Sequence, residues 1–159
     1  MISKPKMPPP TVGFLLHDVA RLLRKRFEQR TRDLGLTRSQ WQVLAYLDRN
    51  PGIQQGALAE LIDVEPITVG RIIDKLDECG LAQRRPHPTD RRIWLLHLTD
   101  KAGPKLAEMR PIGEATRAEA FGDIPEAERA RLLETLAIMK MNLTLACQAP
   151  AGERQADNE

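Results

Sequence analysis

Apolar residues recur at steps of three and four along most of this chain, and once give way to two short β-forming runs. Val12, Leu15, Leu16, Val19, Leu22, Leu23 and Phe27 keep the helical step, with Arg21, Arg24, Lys25 and Arg26 between them, which predicts a long amphipathic helix. It closes near Asp33-Leu34-Gly35, where glycine suits the left-handed turn that ends a helix. Thr37-Arg38-Ser39-Gln40 fits a capping box, so a second helix begins there, with Trp41, Leu44, Ala45 and Leu47 as its apolar face. Asn50-Pro51-Gly52 ends it. Gln54 to Leu61 predicts a short helix with Ala57, Leu58, Leu61 and Ile62 as core candidates. After Asp63-Val64-Glu65, Pro66 takes a first helical position, where its missing N–H costs nothing. That next helix turns Ile67, Ile72, Ile73 and Leu76 inward and Thr68, Arg71, Asp74 and Lys75 to other faces, and Gly80 closes it. Two helices joined by a four-residue turn are what a helix-turn-helix requires.

The period then changes. Leu81 to Arg85 and Ile93 to Leu98 predict two strands, and Pro86-His87-Pro88-Thr89-Asp90 between them is loop chemistry, so the pair reads as a β-hairpin wing. Thr99-Asp100 offers an N-cap for a helix to about Arg110, with strain or a kink expected from Gly103, Pro104 and Pro111. A final helix from Pro125 to about Gln148 carries Leu132, Leu136, Met139, Leu143 and Ala146 at coiled-coil-like spacing. The fold class is therefore mainly α with a small β wing: a winged helix-turn-helix with a helix at each end of the chain.

Composition narrows the function classes. The 159 residues, 42% apolar and 29% charged, suit one ordinary cored domain. No run approaches the roughly 20 apolar residues of a membrane span, and Met1 to Thr11 lacks the apolar centre of a secretory signal, so a cytoplasmic protein with no membrane partner is expected. Cys79 and Cys147 are far apart and lack metal-ligand spacing, and His17, His87 and His97 have no ligand partners, so neither a metal site nor a cofactor is expected. No nucleophile with a base and no phosphate-cradling loop is visible, which argues against an enzyme. The net charge of +2 hides an asymmetry: residues 1–38 hold nine Lys or Arg against three acids, and the span Arg84 to Arg92 holds four Arg against Asp90 alone. Local field, not the sum, is what phosphates meet.

The helix-turn-helix Gly56 to Gly80, followed by CGLAQRRPHPTDRRIWLLHLTDKA, resembles the MarR family of transcriptional regulators, whose wing signature is the Asp90-x-Arg92 element leading to Leu98-Thr99. The resemblance runs from about Thr11 to Cys147; LGLTRSQWQVL, the Pro66 region and LTDKAGPKL resemble the SlyA-like branch most. It implies a homodimer on a pseudopalindromic double-stranded DNA operator, with half-sites about 34 Å apart. Residues 11–35 and 111–148 would be dimerisation helices, 36–100 the DNA-binding winged helix-turn-helix and 101–110 the start of a connecting helix. Residues 1–10 and 149–159 would be disordered tails. Val12, Leu15, Val19, Leu132, Leu136, Met139 and Leu143 would form the dimer seam, unless those stripes cover the chain's own core.

Within that frame Arg71 reaches a guanine edge or a phosphate, with Thr68 and Glu65 one and two turns nearer the helix start and Lys75 one turn beyond; the alternative for Arg71 is an ion pair with Asp74. Gln54 and Gln55 are candidate phosphate or base contacts. Arg92 enters a narrow A·T-rich minor groove, Asp90 orients it or simply forms an Asx turn, and Arg84, Arg85 and Arg91 contact phosphates or are ordinary solvated charge. A small aromatic or phenolic effector would be lined by Val12, Leu16, His17, Arg21 and Trp41. Two other readings remain: a winged helix used only for protein contacts, and a cysteine-based redox sensor using Cys79 or Cys147.

Overall fold

A computed structural model describes residues 9–148; the predicted tails, apart from Pro9 and Pro10, lie outside them. The elements run α1 (Val12–Thr31), α2 (Arg38–Arg49), β1 (Ile53–Gln54), α3 (Gln55–Ile62), α4 (Pro66–Glu78), β2 (Ala82–Pro86), β3 (Trp94–Leu98), α5 (Ala102–Phe121) and α6 (Glu126–Gln148). The chain divides into two compact units, up to Ala120 and from Phe121 onward. Among the described residues no helix is long and apolar enough to cross a membrane.

Local chemistry sets most boundaries. Thr37 Oγ1 accepts from the Gln40 backbone N–H at 3.3 Å while Gln40 Oε1 accepts from the Thr37 backbone N–H at 2.7 Å, the capping box that the sequence predicts. Pro66 starts α4. At its other end Gly80, at φ +69°, lets the Leu81 N–H reach the Leu76 carbonyl at 2.8 Å and its own N–H reach Asp77 at 2.7 Å, a Schellman closure with Leu76 and Leu81 both buried.

The core of the first unit is Trp41, Val43, Leu44 and Leu47 of α2, Leu58, Ala59 and Ile62 of α3, Val69, Ile73 and Leu76 of α4, Leu81, Ala82 and Leu96 of the wing, and Leu106 of α5. Two predicted inward stripes shift. In α4 the buried face is Val69, Ile73 and Leu76, spaced four and three; Ile67 is 66% exposed and Ile72 only partly buried. Ile67 follows the Pro66 start directly, and one turn of helix puts Val69 rather than Ile67 above Ile73. In α3, Ala59 replaces Ala57 and Leu61, which are exposed.

The sheet has order β1-β3-β2, antiparallel throughout. β2 and β3 form the predicted wing, with Ala82 opposite Leu98 and Pro86 opposite Trp94. β1 was not predicted; it pairs Ile53 with Leu96 and Gln54 with Leu95, so Gln54 belongs to a strand and N-caps α3 without a side-chain bond. Past the wing, Thr99 does not cap α5: its hydroxyl donates to the Gly80 carbonyl and ties the wing exit to the end of α4. α5 continues through Pro111 to Phe121. Pro104 lies in the first turn, where N–H groups have no helical partner anyway, and Pro111 removes one hydrogen bond from a helix long enough to keep the rest.

In the second unit, Arg129 donates to the Ile124 carbonyl at 2.6 Å and the Gly122 carbonyl at 3.0 Å and lies over the Phe121 ring at 5.3 Å, which fixes the turn into α6. α6 buries no residue at all; Leu132, Leu133, Ile138, Met141, Leu143 and Leu145 are exposed, and Leu136 and Met139 half-buried. In α1 only Thr31 is buried, and Val12, Leu15 and Val19 are exposed. Farther along α1, Phe27 packs against the core of the first unit.

Candidate nucleic-acid interface

Glu65, Thr68, Arg71 and Lys75 follow one another on α4 at steps of three, three and four, so they share a face, and all four are exposed. Arg71 makes no ion pair among the described residues. The pairing with Asp74 goes instead to Arg84 of β2, whose Nη1 donates to Asp74 Oδ1 at 2.7 Å and Nη2 to the Gly70 carbonyl at 3.3 Å. Arg84 therefore braces the wing against the helix, whereas Arg85 and Arg91 have no ion pair among the described residues. Lys75 pairs with Glu78 at 2.8 Å.

Gln55 is likewise engaged, its Nε2 donating to the Pro66 carbonyl at 2.9 Å across the start of α4. Gly70 makes room for this brace: a Cβ there would meet the Gln55 amide at 2.9 Å. Glu65 N-caps α4 by position only, with no side-chain bond.

The wing tip holds a hydrogen-bonded Asp–Arg pair. Asp90 Oδ1 accepts from the Arg92 backbone N–H at 3.0 Å and from Arg92 Nε at 3.0 Å, and Oδ2 accepts from Nη2 at 2.9 Å. Asp90 thus forms the Asx turn and orients Arg92 at once. That bond to Arg92 holds the Asp90 carboxyl below its usual range. The Arg92 side chain remains 89% exposed, so its charge is aimed but not covered. Arg91 and Arg85 are exposed beside it. His97, half-buried at the wing base, is pushed below its usual value by burial and by the charge of Arg85, so it adds no cation there at neutral pH.

A second feature is a cleft of about 600 Å³ between α1, α2 and α5, walled by Leu23, Phe27, Trp41, Ala45, Leu106 and Met109 and edged by five arginines (Arg24, Arg38, Arg49, Arg110 and Arg117) against two acids, Asp48 and Glu114. Of the predicted effector liners only Trp41 belongs to it. Val12, Leu16, His17 and Arg21 lie on the exposed first half of α1, and Arg21 pairs with Asp18 at 3.5 Å. The second half of α1, from Ala20 to Phe27, forms the wall, because that half is the one that lies along α2. The Trp41 indole is 1% exposed and its Nε1–H has no acceptor among the described residues. The cleft's basic rim escaped the sequence reading because its residues come from three helices at unrelated spacings.

Cys79, at the C-cap of α4, and Cys147, near the end of α6, are both exposed free thiols. Among the described residues no group of three His, Cys, Asp or Glu side chains could hold a metal ion.

Winged-helix chains of this arrangement recur among solved transcriptional regulators. Residues 34–93 match the family model described as MarR family. The transcriptional regulator SlyA is similar at 26% identity and TM-score 0.73, over 86% of this chain and 96% of that one. BpsR of Bordetella bronchiseptica, a structure addressing regulation of its DNA binding by 6-hydroxynicotinic acid, is 27% identical with TM-score 0.70, over 86% of this chain and 98% of its own. A MarR family regulator from Listeria monocytogenes, complexed with a 26mer DNA, is 24% identical with TM-score 0.74, over 84% of this chain and 89% of that one.

Proposed function

We propose that this chain is a sequence-specific double-stranded DNA-binding transcriptional regulator that works as a homodimer on a pseudopalindromic operator. α4 enters the major groove, where Arg71 has the reach and the free donors to read a guanine edge, with Thr68 and Glu65 nearer the helix start. Arg92 enters the adjacent minor groove, and Arg85 and Arg91 meet phosphates. Residues 36–100 are the reading domain and the terminal helices join two copies. The observation that carries this reading is Arg92: a guanidinium held by two hydrogen bonds to one carboxylate, which also accepts from the Arg92 backbone N–H, at the tip of a hairpin, yet almost fully exposed. A module that only docks proteins has no use for a preoriented cation on a thin wing.

The cleft beside Trp41 is the effector site of this reading. Apolar walls with a rim of arginines suit a small aromatic acid, and BpsR, of similar fold, is the subject of regulation by such an acid. The effector and DNA oppose each other because the cleft is built from the helices that support the reading domain. The SlyA-like branch rests on the sequence resemblance and on the likeness to SlyA.

Selection of duplexes from a random pool, followed by mobility shift at fixed salt, tests the proposal. The wild type should enrich an inverted repeat with A·T-rich flanks. Arg92→Ala should lose at least tenfold in affinity with its sizing profile unchanged; equal affinity for the variant ends the wing assignment.

A further inference from the structure

His87 stands outside every role assigned above, yet it organises the wing tip. Its ring Nδ1 lies 3.3 Å from the Thr89 backbone N, 3.3 Å from the Asp90 backbone N and 3.2 Å from Thr89 Oγ1. Two backbone N–H groups aimed at one ring nitrogen require a lone pair there, so the proton of the neutral ring is on Nε2 and the Thr89 hydroxyl also donates to Nδ1. The His87 N–H closes the hairpin on the Ile93 carbonyl at 2.9 Å, and the Ile93 N–H returns to the Asp90 carbonyl at 3.1 Å. The ring thus does for the turn 87–90 what Asp or Ser does at a helix N-cap, capping the N–H groups two and three residues on. Asp90, held by that cap, holds Arg92.

We propose that His87 is a positioning residue for Arg92: as a neutral acceptor through Nδ1, it fixes the Thr89–Asp90 backbone and with it the direction in which the wing presents its guanidinium to DNA. This rests on the DNA-binding reading above. Pro86 and Pro88 flank the ring and restrict the backbone on either side, so the remaining freedom of the tip lies in the Thr89–Asp90 peptide that His87 caps.

Two measurements separate the proposal from the reading it rests on. In the free protein, long-range nitrogen-proton spectra should show Nδ1 of His87 unprotonated and the proton on Nε2, and His87→Ala should shift the Asp90 and Arg92 amides while leaving those of α4 in place. A ring protonated on Nδ1 at neutral pH overturns the proposal without reference to DNA. On a selected duplex, His87→Ala should bind about fivefold more weakly, the size of one lost neutral hydrogen bond or two weak ones. His87→Asn, whose side-chain oxygen can accept from the same two N–H groups, should recover most of that loss, and in an Arg92→Ala background neither change should matter. If Arg92→Ala weakens binding and His87→Ala does not, the positioning role is wrong and the wing reading stands. If Arg92→Ala itself has no effect, the wing reading falls with it.

Discussion

Arg84 Nη1 on β2 stands 2.7 Å from Asp74 Oδ1 on α4, so the wing and the recognition helix are joined by an ion pair, with a second guanidinium nitrogen on the Gly70 carbonyl. The consequence separates Arg84 from the other wing arginines. A residue that neutralises a phosphate changes the salt slope of binding by about 0.9 when removed, whereas a brace lowers affinity with little change in slope. Arg91→Ala should therefore flatten the plot of log affinity against log salt by nearly one. Arg84→Ala should weaken binding at every salt concentration and leave the slope close to that of the wild type; an equal flattening in both would make Arg84 a phosphate contact after all.

The clasp between α1 and α5 gives a pH-dependent stability. Glu119 accepts from Arg26 Nε at 2.7 Å and Nη2 at 2.9 Å and from Arg30 Nη2 at 2.5 Å. The hydrogen bonds from Arg26 above all, with the charges of Arg26 and Arg30 and the Arg30 hydrogen bond, hold its carboxyl at about 2, down from 4.5, against an opposing effect of burial second in size only to those Arg26 bonds. A carboxyl whose folded value is depressed stabilises the fold above its unfolded value, and loses that contribution as pH falls from about 4.5 through about 2. Glu119→Gln should lower Tm by a few degrees at neutral pH, less at high salt because the pair is partly exposed, and the two melting curves should converge toward pH 2. Parallel curves across that window would show that the clasp contributes nothing.

Which parts of this structure were legible in the sequence follows from how local their causes are. The capping box at Thr37, the Pro66 start, the Gly80 closure and the Asp90–Arg92 turn each depend on residues within a few positions, and each is where the sequence placed it. β1 is two residues long and exists because Leu96 and Leu95 lie opposite it, which no local pattern announces. Ile67 and Val69 are equally apolar, and only the packing of α4 decides that Val69 goes in. Arg84 resembled its neighbours in sequence; that Asp74 lies across from it is a fact of tertiary structure. That the cleft opens beside Ala20 to Phe27 and not beside Val12 to His17 has the same reason, since an apolar stripe does not say which half of a helix has a neighbour.

Trp41 gives that cleft a spectroscopic handle. Of the two tryptophans, Trp41 is buried at the cleft and Trp94 is 52% exposed on the wing. In Trp94→Phe, the remaining emission should be quenched on titration with benzoate or a hydroxylated benzoate. Trp41→Phe removes the unpaired Nε1–H while keeping an aromatic wall, and should weaken binding of the acid about fivefold if that hydrogen is the donor an effector oxygen takes. Calorimetry on Trp41→Phe gives the comparison directly, and unchanged affinity would place the acid elsewhere.

Oligomeric state is the last prediction, and the rest of the proposed function depends on it. α6 carries Leu132, Leu133, Ile138, Met141, Leu143 and Leu145 exposed on more than one face, and α1 adds Val12, Leu15 and Val19. A helix rarely leaves so many large apolar side chains to water unless a partner covers them. A helix apolar on several faces also needs neighbours on more than one side, which interdigitated terminal helices of two copies supply and a single packing face does not. Light scattering should give the mass of two chains. Leu143→Glu, placing a carboxylate in the predicted seam where the native side chain is 62% exposed in the single chain, should shift the mass to one chain with helical content retained. The single chain should bind a full operator more than tenfold more weakly, because linking two half-site contacts multiplies their affinities through effective concentration, while its affinity for an isolated half-site should stay the same. A variant that remains dimeric would move the interface off this seam. One that becomes monomeric and binds the full operator undiminished would mean that each reading domain acts alone.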